Sequence, residues 1–500
     1  MVLRMHNSPF DHEFDSLVSH ELAKWKVPGL TISVVHGQNN TYSKAYGISQ
    51  FPDKPMTTHS LFSTCSTTKA FTAAAVSLVI NDSKSTSSPI NWDTPVSFLI
   101  RDDFVLADDY ATNHTTLEDA LSHRSGLPGH ENAMTCANPN ESIQEAVRKM
   151  RYLPLAYQPR TTWQYCNHMY IAISHMLEKR TGVDLGSFMR KRIWNPLDMK
   201  DTYFSIHHVL NSPQLKPRIV QGYSWIPETK SYTPEPYMNY PPTKGTGAIV
   251  GDVRDYAKWL RALIFKLGPL SDEILDPLLK PRSIILAPES TYPPTLHHLY
   301  ALGWWVENYA GEQFYWHSGS WPGFGIMVGF IPAKQFGFAI MGNSVDARMA
   351  AKKLYMHLMD KMLGLVERTE GEDKPAGKSE TLEEAKIKLY PSIPDHPLPR
   401  YLPLQKYAGL YRNPGYGEVT FRVNGSKLTA DFSDRVIPTM LDLHHVSGEF
   451  FLARVYACNS EAHATAFYRA EFYIDAGGNV QRVGLEFEPA LKGQKIWYER

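Results

Sequence analysis

The amino-acid sequence predicts an α+β fold followed by a small antiparallel β-barrel. Residues 11–24 and 349–362 have the apolar periodicity of helices, and residues 30–35, Leu-Thr-Ile-Ser-Val-Val, are typical of a strand that begins a sheet. Short alternating segments separated by glycine-containing turns follow residue 400. The first two observations predict the α+β part, and the third predicts the barrel.

Residues 66–69 read Ser-Thr-Thr-Lys and open an apolar helical run, residues 70–78. Side chains three apart share one helix face, so the Lys69 amine can reach the Ser66 hydroxyl, and the first-turn amides place positive potential beside it. Ser66 is therefore a candidate nucleophile with Lys69 as its base. For this segment alone, an N-capping serine followed by a solvated lysine is an open alternative.

Residues 165–167, Tyr-Cys-Asn, precede an amphipathic helical segment over residues 170–178. Alternate residues of an extended segment point the same way, so Tyr165 and Asn167 can enter one cleft. Tyr165 supplies a second proton-handling group, and Asn167 a polar group that can orient a substrate; the open alternative for Asn167 is a loop or cap residue. Similar triplets at 237–239 and 411–413 are not followed by such a helix.

An aromatic-rich strand is predicted over residues 313–317, and it leads into His-Ser-Gly-Ser. The glycine leaves room for a substrate backbone, and the amide after it can point into the site. Residues 266–268, Lys-Leu-Gly, have a similar spacing but end a helical segment, where a lysine and a glycine are expected. The candidate substrate-binding residues of this element are His317, Ser318, Gly319 and Ser320.

Three parts of the chain are predicted: residues 1–365, a linker over 366–400, and residues 401–500. The linker is charged at first and then rich in proline. Beyond it, strands are predicted at 418–423, 426–432, 450–455 and 470–475, with Asn424-Gly425 as a hairpin turn and Gly477-Gly478 as another turn. Residues 401–500 are therefore predicted to form a small antiparallel barrel.

The three motifs, in this order and these contexts, resemble those of the class C β-lactamase, penicillin-binding-protein and esterase superfamily of serine hydrolases. Residues 116–128, 194–202 and 323–343 also look like family segments, so the resemblance covers roughly residues 10–365. It implies a β-lactamase/transpeptidase-like antiparallel sheet flanked by helices, with a helical subdomain and the site between them. The C-terminal barrel resembles the lipocalin-like module appended to some of these enzymes; it either covers the cleft or only stabilises the fold.

The resemblance also implies roles for the site residues. Ser66 would form an acyl-enzyme, Lys69 and Tyr165 would move its proton, and Asn167 would hydrogen-bond both Lys69 and the substrate. The amides of Ser66 and Ser320 would form the oxyanion hole. His317 stands where class C β-lactamases have a lysine, which weakens any clamp on a substrate carboxylate and disfavours β-lactam hydrolysis.

Which residue is the resting base is open at this level. Lysine and tyrosine both have ordinary pKa values near ~10, so one of them must be lowered for catalysis near neutral pH. Burial disfavours the ammonium of Lys69, whereas a neighbouring lysine cation favours a tyrosinate at Tyr165. A third alternative is that the resting proton is a property of the coupled pair and of neither residue alone.

Composition excludes several classes of function. Lys+Arg and Asp+Glu both number 51, so the net charge is zero, and no basic cluster carries interleaved aromatics. Nucleic acid and charged membrane surfaces are therefore not expected as partners. The first ten residues lack an apolar signal core, no stretch approaches a membrane span, and 4 cysteines are too few for a disulfide framework. A cytoplasmic location is expected.

No cofactor or metal is required by this mechanism, and the adjacent histidine pairs cannot face one ligand position. The predicted function is hydrolysis of a carboxylic ester or amide with an apolar or aromatic acyl group, since aromatics are dense near the motifs. The alternative is acyl transfer or cyclisation onto an alcohol or amine, with a true β-lactamase or D-peptidase less favoured. A catalytically dead binding protein is disfavoured because every motif residue is present. The oligomeric state is not predicted.

Overall fold

The computed structural model describes residues 8–285, 298–365, 380–458 and 464–500. Its helices are α1 (His12–Lys24), α2 (Thr68–Ser83), α3 (Val96–Leu99), α4 (Asp109–His114), α5 (Leu117–Leu121), α6 (Glu131–Thr135), α7 (Ile143–Lys149), α8 (Asn167–Thr181), α9 (Leu185–Met189), α10 (Ile206–Leu210), α11 (Lys244–Gly247), α12 (Val253–Phe265), α13 (Asp272–Leu279), α14 (Ala347–Leu363) and α15 (Leu382–Leu389).

The strands before residue 345 are β1 (Gly29–His36), β2 (Asn40–Gln50), β3 (Lys54–Pro55), β4 (Phe62–Ser63), β5 (Thr202–Tyr203), β6 (Tyr223–Ile226), β7 (Ser231–Pro234), β8 (Val250–Gly251), β9 (Ser283–Ile285), β10 (His298–Tyr300), β11 (Trp305–Tyr309), β12 (Glu312–Trp321), β13 (Phe324–Ile331) and β14 (Phe336–Gly342). Those after it are β15 (Gly409–Asn413), β16 (Gly417–Asn424), β17 (Lys427–Phe432), β18 (Thr439–Ser447), β19 (Phe450–Ala457), β20 (Ala464–Ile474), β21 (Val480–Leu485) and β22 (Ile496–Glu499).

A nine-stranded antiparallel sheet runs in the order β3-β2-β1-β14-β13-β12-β11-β10-β9. Every residue of β1 is buried, and β1 pairs with β14 in a register that places Ile32 opposite Ile340. The terminal helices α1 and α14 pack on this sheet, with Phe14 in the same apolar cluster as Leu354. The sheet and both terminal helices are confirmed, although α14 begins at Ala347, two residues earlier than predicted.

The helical part is built around α2, whose middle turns are buried on all sides. Helices α8, α11 and α13 pack against it. Ala, Val and Leu dominate α2, and because a helix that is apolar all round has to be buried, this composition puts it at the centre of the molecule. The turn that precedes α2, residues 65–67, contacts β12, which brings the first motif to the sheet.

Part of the predicted linker, residues 366–379, lies outside the described residues. Its second half contains α15, which sequence analysis did not predict. Thr381 and Glu384 form a capping box at the start of this helix, and Ala385 packs against Val446 and Leu452 of the last eight strands. The helix is short and mostly exposed, so its few apolar residues give no clear period.

Strands β15 to β22 form a closed barrel in chain order, completed by pairing of β15 with β22. Asn424-Gly425 lies between β16 and β17 and Gly477-Gly478 between β20 and β21, as predicted. Buried aromatic rings, including Tyr407, Phe451 and Phe472, pack together in the core. The antiparallel barrel is confirmed, and its core is filled by side chains.

Across the described ranges, none of the helices has both the length and the apolar character that crossing a membrane requires.

Candidate active site

Ser66 lies in a single 3₁₀ turn, Cys65–Thr67, that connects β4 to α2. Strand β12 lies directly against this turn: a Cβ placed on Gly319 would be 2.4 Å from the carbonyl oxygen of Thr64. Only glycine allows this approach. The first and third motifs are therefore adjacent because residue 319 has no side chain.

Lys69 is fully buried in the first turn of α2, and its amine contacts three oxygen atoms. Nζ lies 3.0 Å from Ser66 Oγ, 2.7 Å from Asn167 Oδ1 and 3.1 Å from the carbonyl oxygen of Thr246. Burial lowers the pKa of Lys69 to about 7, although the nearby Glu131 opposes this. In the neutral amine, two N–H groups donate to the carbonyl oxygens of Asn167 and Thr246, and the lone pair faces the Ser66 hydroxyl.

Tyr165 lies two residues before α8, and its phenol faces the same cavity as Ser66, whose hydroxyl favours the ionised form of the phenol and so opposes the effect of burial on its pKa. Burial raises the pKa of Tyr165, so the phenol is protonated at rest. The centroid of the His123 ring lies 4.3 Å from that of the Tyr165 ring, with the two planes tilted by 36°, and Lys69 Nζ lies 5.0 Å from the Tyr165 centroid. Of the two candidate bases, the lysine is thus the one poised to accept a proton near neutral pH, and the tyrosine is poised to donate one.

Asn167 is the first residue of α8, and it joins Lys69 to a residue that the sequence motifs do not contain. Its Nδ2 donates to Glu131 Oε1 at 3.0 Å, while its Oδ1 accepts from Lys69. Glu131 begins α6, three residues after the family-like segment ends at residue 128. The Glu131 side chain is exposed to solvent in the cleft, and desolvation by the cleft walls raises its pKa. No spacing rule marks this residue in the sequence.

His317 lies on β12 and is 2% exposed. Its ring contacts the Tyr300 hydroxyl at 3.0 Å through Nε2 and the Ser318 carbonyl oxygen at 2.6 Å through Nδ1. Burial, reinforced by Lys69, lowers the pKa of His317 to about 3, so the imidazole is neutral near pH 7. This side chain cannot supply a positive charge for a substrate carboxylate.

A cavity of about 790 Å³ opens over these residues and is lined by Ser66, Glu131, Tyr165, Asn167, His317, Ser318 and Ser320. Of the aromatic residues close in sequence to the third motif, Trp305 and Trp321 line it, whereas Trp304 and Tyr315 lie in the core. The far wall comes from the barrel: residues 436–439, Val-Ile-Pro-Thr, together with Ala457 and Cys458. These barrel residues carry no motif and meet the cleft only through the tertiary fold.

Backbone hydrogen bonds hold residues 436–439 of the barrel against the α+β part of the protein. The amide of Val436 donates to the Ala137 carbonyl at 3.3 Å, and that of Ile437 donates to the Thr135 carbonyl at 3.0 Å. The barrel is therefore a structural part of the cleft.

Two of the three competing motifs lie away from the cavity, whereas Met238 of the triplet at 237–239 lines it. Lys266, with a φ of 54°, is the left-handed cap that ends α12, and Tyr411 is buried in the barrel. All four cysteines are free thiols, and burial raises the pKa of both Cys65 and Cys166 to about 12. The two cysteines beside the motifs thus act as neutral packing residues.

One group of potential metal ligands is found in the described ranges, formed by His59, Asp201 and Asp252. Its carboxylates are already paired with cationic side chains: Arg218 lies 2.6 Å from Asp201, and Arg254 lies 3.4 Å from Asp252. The guanidinium groups supply the positive charge there.

Residues 14–360 match the family model described as Beta-lactamase, and residues 394–500 match the one described as Domain of unknown function (DUF3471). The Unguisins hydrolase ungD' of Aspergillus campestris (strain IBT 28561) is 36% identical over 98% of this chain and 92% of its own length. The Unguisins hydrolase ungD of Aspergillus violaceofuscus (strain CBS 115571) is 33% identical over 99% of this chain and 91% of its own.

Two solved structures share the fold. The octameric penicillin-binding protein homologue from Pyrococcus abyssi has a TM-score of 0.61 at 22% identity and covers 97% of this chain and 99% of its own. The D-amino acid amidase from Ochrobactrum anthropi SV3 has a TM-score of 0.56 at 21% identity and covers 70% of this chain and 99% of its own. The similarity to the Pyrococcus abyssi protein extends over both the α+β part and the barrel.

Proposed function

Because this chain belongs to the β-lactamase family of serine hydrolases, we propose that it cleaves an amide or ester bond through an acyl-enzyme on Ser66. The observation that carries this proposal is the buried Lys69 amine, 3.0 Å from the Ser66 hydroxyl and tethered by two further oxygens. A nucleophile within hydrogen-bond reach of an oriented base is the arrangement that acyl transfer requires.

In the proposed first step, neutral Lys69 accepts the Ser66 proton as Ser66 Oγ attacks the substrate carbonyl. Tyr165 donates its proton to the departing nitrogen or oxygen, and the acyl group remains on Ser66. The same groups then activate a water, which releases the acid and restores the serine. The amides of Ser66 and Ser320 would hold the oxyanion, in keeping with the contact of β12 with the nucleophile turn.

The pH dependence of kcat/KM in the free enzyme should report the titration of Lys69. The base acts when neutral and its pKa is about 7, so the rate should fall as pH decreases through 7 and approach a tenfold loss for each further unit. Measuring kcat/KM from pH 5 to 9 with an ester substrate tests this. A profile that is flat from pH 5 to 7 would show that another group is the base.

The substrate class follows from the cavity and from the names of the relatives. A space of about 790 Å³ with aromatic and apolar walls accommodates a molecule larger than a simple acetyl ester. Neutral His317 offers no charge to a carboxylate beside the reacting carbonyl. Two relatives that align over nearly their whole length are named for the hydrolysis of unguisins. We therefore favour hydrolysis of unguisins or of compounds related to them.

The barrel wall should contribute to substrate recognition. Ile437 lines the cleft, and its replacement by Ala removes apolar surface but keeps the backbone hydrogen bond to Thr135. Ile437→Ala is expected to lower kcat/KM by about tenfold for a large substrate and to leave p-nitrophenyl acetate turnover nearly unchanged.

The matched control is Val423→Ala, since Val423 is an exposed barrel residue that does not line the cavity. If Ile437→Ala and Val423→Ala have equal effects on the large substrate, the barrel wall has no part in recognition.

The proposed function is tested by intact mass and peptide mapping after incubation with unguisins and a p-nitrophenyl ester series, with and without an added alcohol or amine acceptor. An adduct on the peptide containing Ser66 that clears in water supports the hydrolase. An adduct that clears only with the acceptor supports the transferase alternative. An adduct on another residue contradicts the proposal.

A further inference from the structure

Glu131 completes a chain of contacts that ends at the proposed base. Its Oε1 accepts from Asn167 Nδ2 at 3.0 Å, and Asn167 Oδ1 accepts from Lys69 Nζ at 2.7 Å. An amide side chain can present either end to a neighbour, and the carboxylate of Glu131 bonds only the NH₂ end. Glu131 therefore determines which end of Asn167 faces Lys69.

If the Asn167 amide were reversed, its NH₂ group would face the amine. Two donors would then meet, and the lone pair of neutral Lys69 would lose its orientation toward Ser66. The carboxylate thus acts on the base through an intervening side chain, as the third member of other nucleophile–base systems orients the base.

The residues on both sides of Glu131 are held by the barrel. Before it, the His130 amide donates to Glu488 Oε2 at 2.7 Å. After it, Asn132 Nδ2 lies 3.1 Å from both the Tyr468 hydroxyl and the Phe487 carbonyl oxygen. The barrel side chains and backbone therefore determine where α6 begins and where Glu131 points.

The His130 side chain adds a buried contact. Its Nε2 lies 2.8 Å from the Pro154 carbonyl oxygen, which can only accept, so Nε2 carries the proton. Its Nδ1 then accepts from the Tyr416 hydroxyl at 2.5 Å. Burial lowers the pKa of His130 to about 4, so the ring is neutral and this pattern persists near pH 7. His130 has a φ of 45°, a left-handed conformation that these contacts maintain.

Among the described residues, few charged or titratable groups surround Glu131 and Lys69, the two ends of this chain of contacts. Glu131 faces Lys69 and, more distantly, Glu488. Lys69 faces Glu131, the neutral thiols of Cys65 and Cys166, and the rings of Tyr165 and Tyr170. His123 and His317 lie close by, and burial lowers the pKa of both, so they are neutral. Glu131 is therefore the carboxylate that stabilises the protonated form of Lys69.

We infer that Glu131 is a positioning residue for the acyl-enzyme chemistry, orienting Lys69 through Asn167, and that barrel contacts to His130 and Asn132 hold it in place. This inference rests on the proposed function of Ser66 and Lys69. It assigns the barrel a role in proton transfer in addition to its role as a wall of the cleft.

The test compares pH profiles of kcat/KM for Glu131→Gln, Glu131→Ala and the unaltered enzyme. Glutamine keeps an acceptor for Asn167 but removes the charge, so the acidic limb should move to lower pH by roughly half a unit or more. Alanine also removes the acceptor, so kcat should fall about tenfold or more while KM changes less. Glu383→Gln, an exposed carboxylate on α15, is the matched control and should leave the profile unchanged.

The barrel contact is tested by a double-mutant cycle. Tyr416→Phe removes the hydroxyl that binds His130 and should lower kcat several-fold in the unaltered enzyme, but much less in the Glu131→Ala background. Equal effects in the two backgrounds would show that the barrel contact to His130 does not act through Glu131.

Folded Glu131 variants with an unmoved acidic limb and unchanged kcat would overturn the positioning role. If instead Ser66 formed no adduct in the unaltered enzyme, the proposed function itself would fail.

Discussion

Ser66→Ala should give a folded protein without turnover and without a covalent adduct. The substitution removes the oxygen that lies 3.0 Å from Lys69 Nζ and leaves α2 intact, because that helix begins after it, at Thr68. Since nucleophile and base act as a unit, we expect kcat to fall by about 10⁴-fold or more. Stopped assays with an ester and with unguisins, together with intact mass, measure both effects.

The matched control is Ser85→Ala, because Ser85 is an exposed serine just beyond α2. It should keep full activity and the mass shift on the Ser66 peptide. Circular dichroism of both variants separates loss of chemistry from loss of fold. Folded Ser66→Ala protein that turns over within tenfold of the unaltered enzyme would contradict the nucleophile assignment.

The parts of the molecule that the sequence predicts well are those with a regular pattern. A continuous apolar run gives α2, an apolar β-branched run gives β1, and alternation around Asn424-Gly425 gives a hairpin of the barrel. In each case the signal is local, because burial of one face or of all faces determines the spacing of apolar residues. The short α15 has no such spacing, and its helix depends on a capping box and on packing against the barrel.

The candidate site likewise contains residues that a local sequence pattern reveals and residues that only the tertiary fold brings there. Ser66, Lys69, Tyr165 and Asn167 could be found because two of the motifs carry them, and the structure brings them together. Glu131 could not be found, since its partner Asn167 is 36 positions away and a single glutamate has no distinguishing spacing. Ile437 reaches the cleft through a backbone contact with Thr135 that no sequence pattern records. Burial, which lowers the pKa of Lys69 and raises that of Tyr165, is likewise a property of the assembled fold.

Lys69→Arg should abolish turnover nearly as fully as removal of the side chain. Arginine retains a positive charge and donors for Asn167 and Thr246, but it has no accessible neutral form near pH 7. If Lys69 acts by accepting the Ser66 proton, kcat should fall by about 10³-fold or more in both Lys69→Arg and Lys69→Ala. The rate of adduct formation on Ser66, followed by rapid-quench mass spectrometry, isolates the acylation step.

The comparison of these variants separates two ways in which a lysine can assist. A lysine that only stabilises negative charge could be replaced by arginine with a modest loss, whereas a lysine that must cycle between charged and neutral forms could not. Lys84→Arg at the other end of α2, where the lysine pairs with Glu273 on the surface, should be without effect and controls for the substitution itself. Acylation by Lys69→Arg within tenfold of the unaltered rate would transfer the role of base to Tyr165, and the fall in kcat/KM below pH 7 would then need another origin. Loss of acylation in both Lys69 variants, with a normal rate for Lys84→Arg, would tie that fall to the same amine.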